Sequence, residues 1–134
     1  MYFRKTQANV LRNTIGQPAA PIIEPDMLVR ISEIEIVPEY LEEYKTILQK
    51  ESSESVKLEP GVIVIYLIFQ KEDPLQIRIL EVYADQKAYK SHLQTSHFQH
   101  YKTATLKMIK SLKLVDMTAL DPNTMPLIFD KIEK

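Results

Sequence analysis

The sequence predicts an α+β fold of the ferredoxin-like type, β-α-β-β-α-β, with an antiparallel sheet carrying helices on one face. Three observations carry that expectation. Strand-like, β-branched segments alternate with helical periodicity in that order, with the second helix broken in two. The run from Gly61 to Gln70 is apolar on both faces, so it needs a layer on each side. A chain of 134 residues suits one domain, since domains cluster at about 100–150 residues.

Each element follows from local chemistry. Leu28 to Val37 alternates and is rich in β-branched residues, which predicts a half-buried strand. Pro38 suits the first turn of a helix, and Glu39, Glu42 and Glu43 complement its positive end. Tyr40, Leu41, Tyr44, Ile47 and Leu48 form its apolar stripe, and the helix is expected to stop near Val56–Leu58, before Pro60-Gly61. Gly61 to Gln70 and Gln76 to Ala84 form a hairpin around the turn Lys71-Glu-Asp-Pro74. Asp85 is a good N-cap for Gln86–Leu93. Ser96-His-Phe-Gln99 fits a capping box for a helix reaching about Ile109. Ser111 to Leu120 reads as the last strand, and Thr124–Lys134 as one or two helical turns.

The domain is therefore expected over residues 27–121, with an arm at 1–26 and a tail at 122–134. The arm is proline-punctuated from Gln17 to Asp26 and lacks a sustained period. The layer beyond the apolar strand is expected to be a second copy of the sheet, making a homodimer through sheet-to-sheet packing.

Composition narrows the chemistry. Without cysteine, thiol catalysis and cysteine-ligated metals are excluded. Two glycines, Gly16 and Gly61, cannot build a dinucleotide fingerprint or a Walker loop. A net charge of −1 leaves no electrostatic footprint for nucleic acid. The longest apolar run, Val62 to Phe69, is too short for a membrane span. The apolar core of a secretory signal is missing too. The expected compartment is the cytoplasm, with an exported mature form as the alternative. Histidine, tyrosine and carboxylates remain as the chemical tools.

Several segments follow one another in a recognisable order: Val37-Pro38, Glu59-Pro-Gly61, Glu72-Asp-Pro74 and Leu80-Glu-Val-Tyr-Ala-Asp85. The most distinctive is Ala88-Tyr-Lys-Ser-His-Leu-Gln-Thr-Ser-His-Phe-Gln-His-Tyr101, which fits the pattern A-[FLY]-x-x-H-x-x-[ST]-x-H-F. Together they resemble the antibiotic biosynthesis monooxygenase family of dimeric α+β barrels. The resemblance implies a ligand cleft between sheet and helices. It also implies a cofactor-independent monooxygenase that oxidises a quinol-like or other small aromatic substrate with dioxygen. An isomerase of a small oxygenated metabolite and a non-catalytic ligand-binding or stress-response barrel are the alternatives on the same scaffold. The heme-degrading branch uses a first-strand asparagine, a tryptophan and a ligand histidine. Here the first strand has no asparagine and those other positions hold Tyr83 and Lys102, so no cofactor is expected.

A cofactor-free oxygenase needs a base, donors for an oxyanion and a dry cavity. His92 is the expected base, with Glu81 and Tyr83 on one face of the preceding strand as its neighbours; a structural hydrogen bond is the competing role. His97, in the first turn of its helix, is a second base or ligand contact, or a capping residue at the pocket rim. His97 and His100 lack a clear third ligand, so no metal site is expected. Tyr66, Tyr83, Phe98 and Tyr101 are the expected substrate-binding aromatics, whereas Tyr44 belongs to the core. Arg78 falls on the opposite face from Glu81.

Overall fold

The computed structural model describes residues 27–133. The expected arm, residues 1–26, lies outside them. The chain divides into a unit spanning Leu28–Met117 and a second that contains the C-terminal helix.

In the first unit, β1 (Leu28–Ile36) leads through a 3₁₀ turn at Pro38–Tyr40 into α1 (Leu41–Leu58). The hairpin of β2 (Val62–Phe69) and β3 (Gln76–Tyr83) follows. Two short helices, α2 (Gln86–Leu93) and α3 (Ser96–Thr105), come next. A 3₁₀ turn at Leu106–Met108 then leads into β4 (Ile109–Met117). The sheet is antiparallel in the order β2-β3-β1-β4, the ferredoxin-like arrangement. In the second unit, α4 spans Thr124–Glu133. Among the described residues, no helix is long and apolar enough to cross a membrane.

The strand registers separate two faces. Arg30, Ser32 and Ile34 oppose Glu81, Ile79 and Ile77 on the helix-covered face, while Val29 and Ile31 oppose Val82 and Leu80 on the other. The core lies under the helices, where Ile34, Ile36, Ile77 and Ile79 pack against Tyr44 and Leu48 of α1 and Met108. Phe98 N–H donates to Thr95 Oγ1 at 3.2 Å, so Thr95 caps α3 one residue before the expected Ser96. The last strand begins at Ile109 rather than Ser111, because Ile109 pairs with Ile36 across a register shift in β1.

Gly61 is required by close approach. A Cβ there would lie 2.5 Å from Cβ of Ala88, so its absence lets α2 settle against the start of β2. Ala84 N–H donates to Gly61 O at 2.8 Å and secures the same corner. The turn joining α1 to β2 is thereby held against α2.

Candidate active site

A cavity of about 250 Å³ opens between the sheet and the helices. Its walls are mainly apolar, including Ile34, Leu48, Ile79 and Phe98, and its polar lining includes Ser32, Glu51, Ser52, Glu81 and His92 together with the cations Arg30 and Lys102. An apolar hollow with sparse, placed polar groups is the usual form of a small-molecule site.

His92 is fixed from all sides. Ala88 N–H donates to Asp85 Oδ1 at 2.7 Å and caps α2, which carries His92 in its last turn. The imidazole is 3% exposed and packs between the rings of Tyr83 and Phe98, at centroid distances of 5.4 and 5.0 Å. Its Nδ1 lies 3.0 Å from Glu59 Oε2. Its Nε2 lies 3.6 Å from Glu51 Oε2 on the cavity wall. Thr95 Oγ1 donates to His92 O at 2.8 Å while accepting from Phe98 N–H, which ties the end of α2 to the start of α3. That tie carries His97 to the same carboxylate, with its Nε2 2.5 Å from Glu59 Oε2.

Glu81, the carboxylate expected beside His92, is engaged elsewhere. It accepts from Ser32 Oγ and, at 2.7 Å, from Tyr83 Oη. The orienting carboxylate is Glu59, which sequence reasoning missed because 33 residues separate it from His92 and only the α1–β2 corner brings them together. Glu51 was missed as well, although a signal was present. Tyr44, Leu48, Glu51, Ser52 and Ser55 all lie on the buried face of α1, so an acid interrupts the inward stripe. Burial pushes the Glu51 carboxyl above the ordinary range, opposed by the hydrogen bond from Ser55 Oγ (2.8 Å) and by the nearby histidines.

The expected aromatic positions divide. Tyr83, Phe98 and Tyr101 line the cavity. Tyr66 is 62% exposed and is not part of its wall, because alternation along β2 turns Ile65 inward in its place. Tyr44 is fully buried and its hydroxyl lies 2.6 Å from that of Tyr101. Burial raises both phenols, Tyr101 to about 12, and raises Tyr83, which also faces Glu81. Ser52 Oγ is buried at the cavity wall and, among the described residues, has no hydrogen-bond partner. His100 is exposed. The third donor that His97 and His100 lacked is supplied to a different pair, since Glu59, His92 and His97 place their ligand atoms within 4.8 Å of one another.

The sequence profile described as antibiotic biosynthesis monooxygenase matches residues 27–104. The chain is 50% identical to a candidate antibiotic biosynthesis monooxygenase from Bacteroides thetaiotaomicron, with a TM-score of 0.72 over 72% of this chain and 92% of that one. A candidate monooxygenase from Lactobacillus acidophilus is 25% identical, with a TM-score of 0.68 over 72% of this chain and 45% of the other. One from Nitrosomonas europaea is 21% identical, covers 72% and 93%, and shares the fold at a TM-score of 0.68. No curated protein matches the chain.

Proposed function

The chain belongs to the antibiotic biosynthesis monooxygenase family, and from that premise we propose that it oxidises a quinol-like or other small aromatic substrate with dioxygen, without a cofactor, using His92 as base. One observation carries the proposal: His92 lies on the cavity wall with Nδ1 held 3.0 Å from Glu59. A proton on Nδ1 donates to that carboxylate, which leaves the lone pair on Nε2. This is the tautomer that a base needs, and the carboxylate stabilises the imidazolium once it forms.

The balance for a hydroquinone is simple. Hydroquinone plus dioxygen gives hydroxyquinone plus water, so all four electrons come from the substrate. Nε2 takes a phenolic proton, and the electron-rich anion reduces dioxygen and forms a carbon–oxygen bond. The O–O bond then breaks as the ring C–H proton leaves, and the distal oxygen departs as water with the protons held by the site. The apolar walls exclude bulk water from the anion. His97 acts through Glu59, Glu81 fixes Tyr83 and Ser32, and Tyr83, Phe98 and Tyr101 hold the ring.

The working unit of this reading is a homodimer joined through the other sheet face, where Val29, Ile31, Leu80 and the exposed Tyr66 and Ile68 supply apolar area. The test is oxygen uptake with a panel of hydroquinones, for the native chain and His92→Ala. Uptake by the native chain that is lost in the folded variant is the expected result. Product formed equally under argon assigns an isomerase instead, and unchanged uptake in the variant removes His92 from the chemistry.

A further inference from the structure

Glu59 serves two imidazoles at once. Its Oε2 lies 3.0 Å from His92 Nδ1 and 2.5 Å from His97 Nε2, and the three donor atoms fall within 4.8 Å of one another. Among the described residues, the ion pairs of Glu59 are with these two histidines, so no lysine or arginine occupies the carboxylate. Zinc-class ions bind imidazole nitrogen at about 2.0–2.1 Å and carboxylate oxygen at about 2.0–2.2 Å, with the fourth position open to water. Tetrahedral ligand atoms at those bond lengths stand roughly 3.3–3.5 Å apart, so the Glu59 carboxylate draws back from the imidazoles and the three atoms, within 4.8 Å of one another, settle to that spacing around an ion. The side chains of Glu59 and His97 retain 14% and 11% exposure, which leaves a path of entry.

The outer contacts suit a metal as well. A histidine bound to a metal through one nitrogen commonly donates its other N–H to a carboxylate. Glu51 stands opposite His92 Nε2, at 3.6 Å, in the place of that acceptor. The cavity wall includes His92 and Glu51 but neither Glu59 nor His97. An ion at the triad therefore sits on the Nδ1 side of the imidazole, whose Nε2 lies toward Glu51 on the cavity wall. Bound at Nδ1, it displaces the proton there and confines the remaining ring proton to Nε2. The lone pair that faces the substrate is then gone.

We propose that Glu59, His92 and His97 form a site for a divalent transition metal of the zinc class whose occupation silences the cavity. Binding itself follows from the donor set, whereas the silencing rests on the reading of His92 as base. The chelator-treated full chain is titrated with zinc sulfate by calorimetry and with cobalt(II) by visible absorption. One ion per chain is expected, with cobalt(II) bands of a four-coordinate site. His97→Ala is expected to weaken binding by roughly tenfold or more. Glu59→Gln, which can keep hydrogen bonds to the imidazoles but is a poor ligand, is expected to do the same and guards against a fold lost in the first variant. The absence of saturable binding, or native affinity in both variants, overturns the site.

In the uptake assay, zinc is expected to suppress turnover and a chelator to restore it. Binding with unchanged turnover overturns the silencing and removes His92 as base while the metal site stands. Turnover that requires the ion overturns the silencing too. Uptake lost in His92→Ala without any zinc binding overturns the metal site and leaves the base standing.

Discussion

Glu59 Oε2 stands 3.0 Å from His92 Nδ1 across 33 residues of sequence, beside the corner where Gly61 packs closely on Ala88. In the proposed mechanism this contact keeps the ring proton on Nδ1 and leaves the Nε2 lone pair to act as base. Glu59→Gln keeps an acceptor but loses the charge that stabilises the imidazolium. It is expected to lower kcat/KM for hydroquinone oxidation by about 10²-fold or more. Thermal melting close to that of the native chain, measured alongside, separates lost chemistry from lost folding.

Gly61→Ala places a methyl carbon 2.5 Å from Cβ of Ala88, a separation that neither backbone tolerates. The expected loss of stability is about 1–3 kcal/mol in urea denaturation. Adding Ala88→Gly removes the opposing carbon, so the double variant is expected to recover part of that loss. A double variant no better than the single one excludes this contact as the cause.

Among the described residues, Ser52 Oγ at the cavity wall has no hydrogen-bond partner. Ser52→Ala removes a desolvated hydroxyl and is expected to stabilise the free protein by about 0.5–1.5 kcal/mol. The same change deletes a polar contact available to a substrate oxygen. It is expected to raise KM by roughly five- to tenfold, about 1 kcal/mol. Opposite signs in denaturation and in kinetics are the signature; a destabilised variant with native KM contradicts it.

The buried Tyr44–Tyr101 pair sets an alkaline limit. Tyr101 is pushed up to about 12 by burial, with Glu51 and Glu81 adding to the effect, and Tyr44 is raised in the same direction. Below the unfolded phenol value of about 10, both states hold their protons and the stability is fully present. Above it the unfolded chain ionises first, so stability falls between about pH 10 and the folded value near 12, by roughly 3 kcal/mol for a two-unit shift. Tyr101→Phe is expected to flatten that decline in melting curves from pH 8 to 12. It also costs about 1 kcal/mol at neutral pH, because Tyr44 loses its partner at 2.6 Å.

Tyr66 is 62% exposed on the sheet face away from the cavity. For the proposed homodimer, Tyr66→Asp is expected to shift the chain from dimer to monomer in light scattering, because a charge there cannot be desolvated between two sheets. A monomeric native chain contradicts the dimer itself.

Much of the fold was legible in the residues, and for identifiable reasons. Pro38, Pro60 and Pro74 interrupt hydrogen bonding wherever they fall, Asp85 caps its own helix, and alternation along β1 and β3 separates the two sheet faces without help from distant groups. His92, Tyr83, Phe98 and Tyr101 could be gathered on one site because local periodicity turns them inward. Strand register could not be read so easily in β2, where apolar residues occupy both faces. Tyr66 was accordingly placed in a cavity that Ile65 lines.

The sequence by itself determined the order of elements, the alternation of faces along β1 and β3 and the two histidines at the α2–α3 break, since each depends on interactions a few residues long. Only the tertiary structure decided which carboxylates meet those histidines. Glu59 rather than Glu81 holds His92, and Glu51 faces its other nitrogen, because the packing of Gly61 on Ala88 and of α1 over the sheet sets distances that no local periodicity encodes.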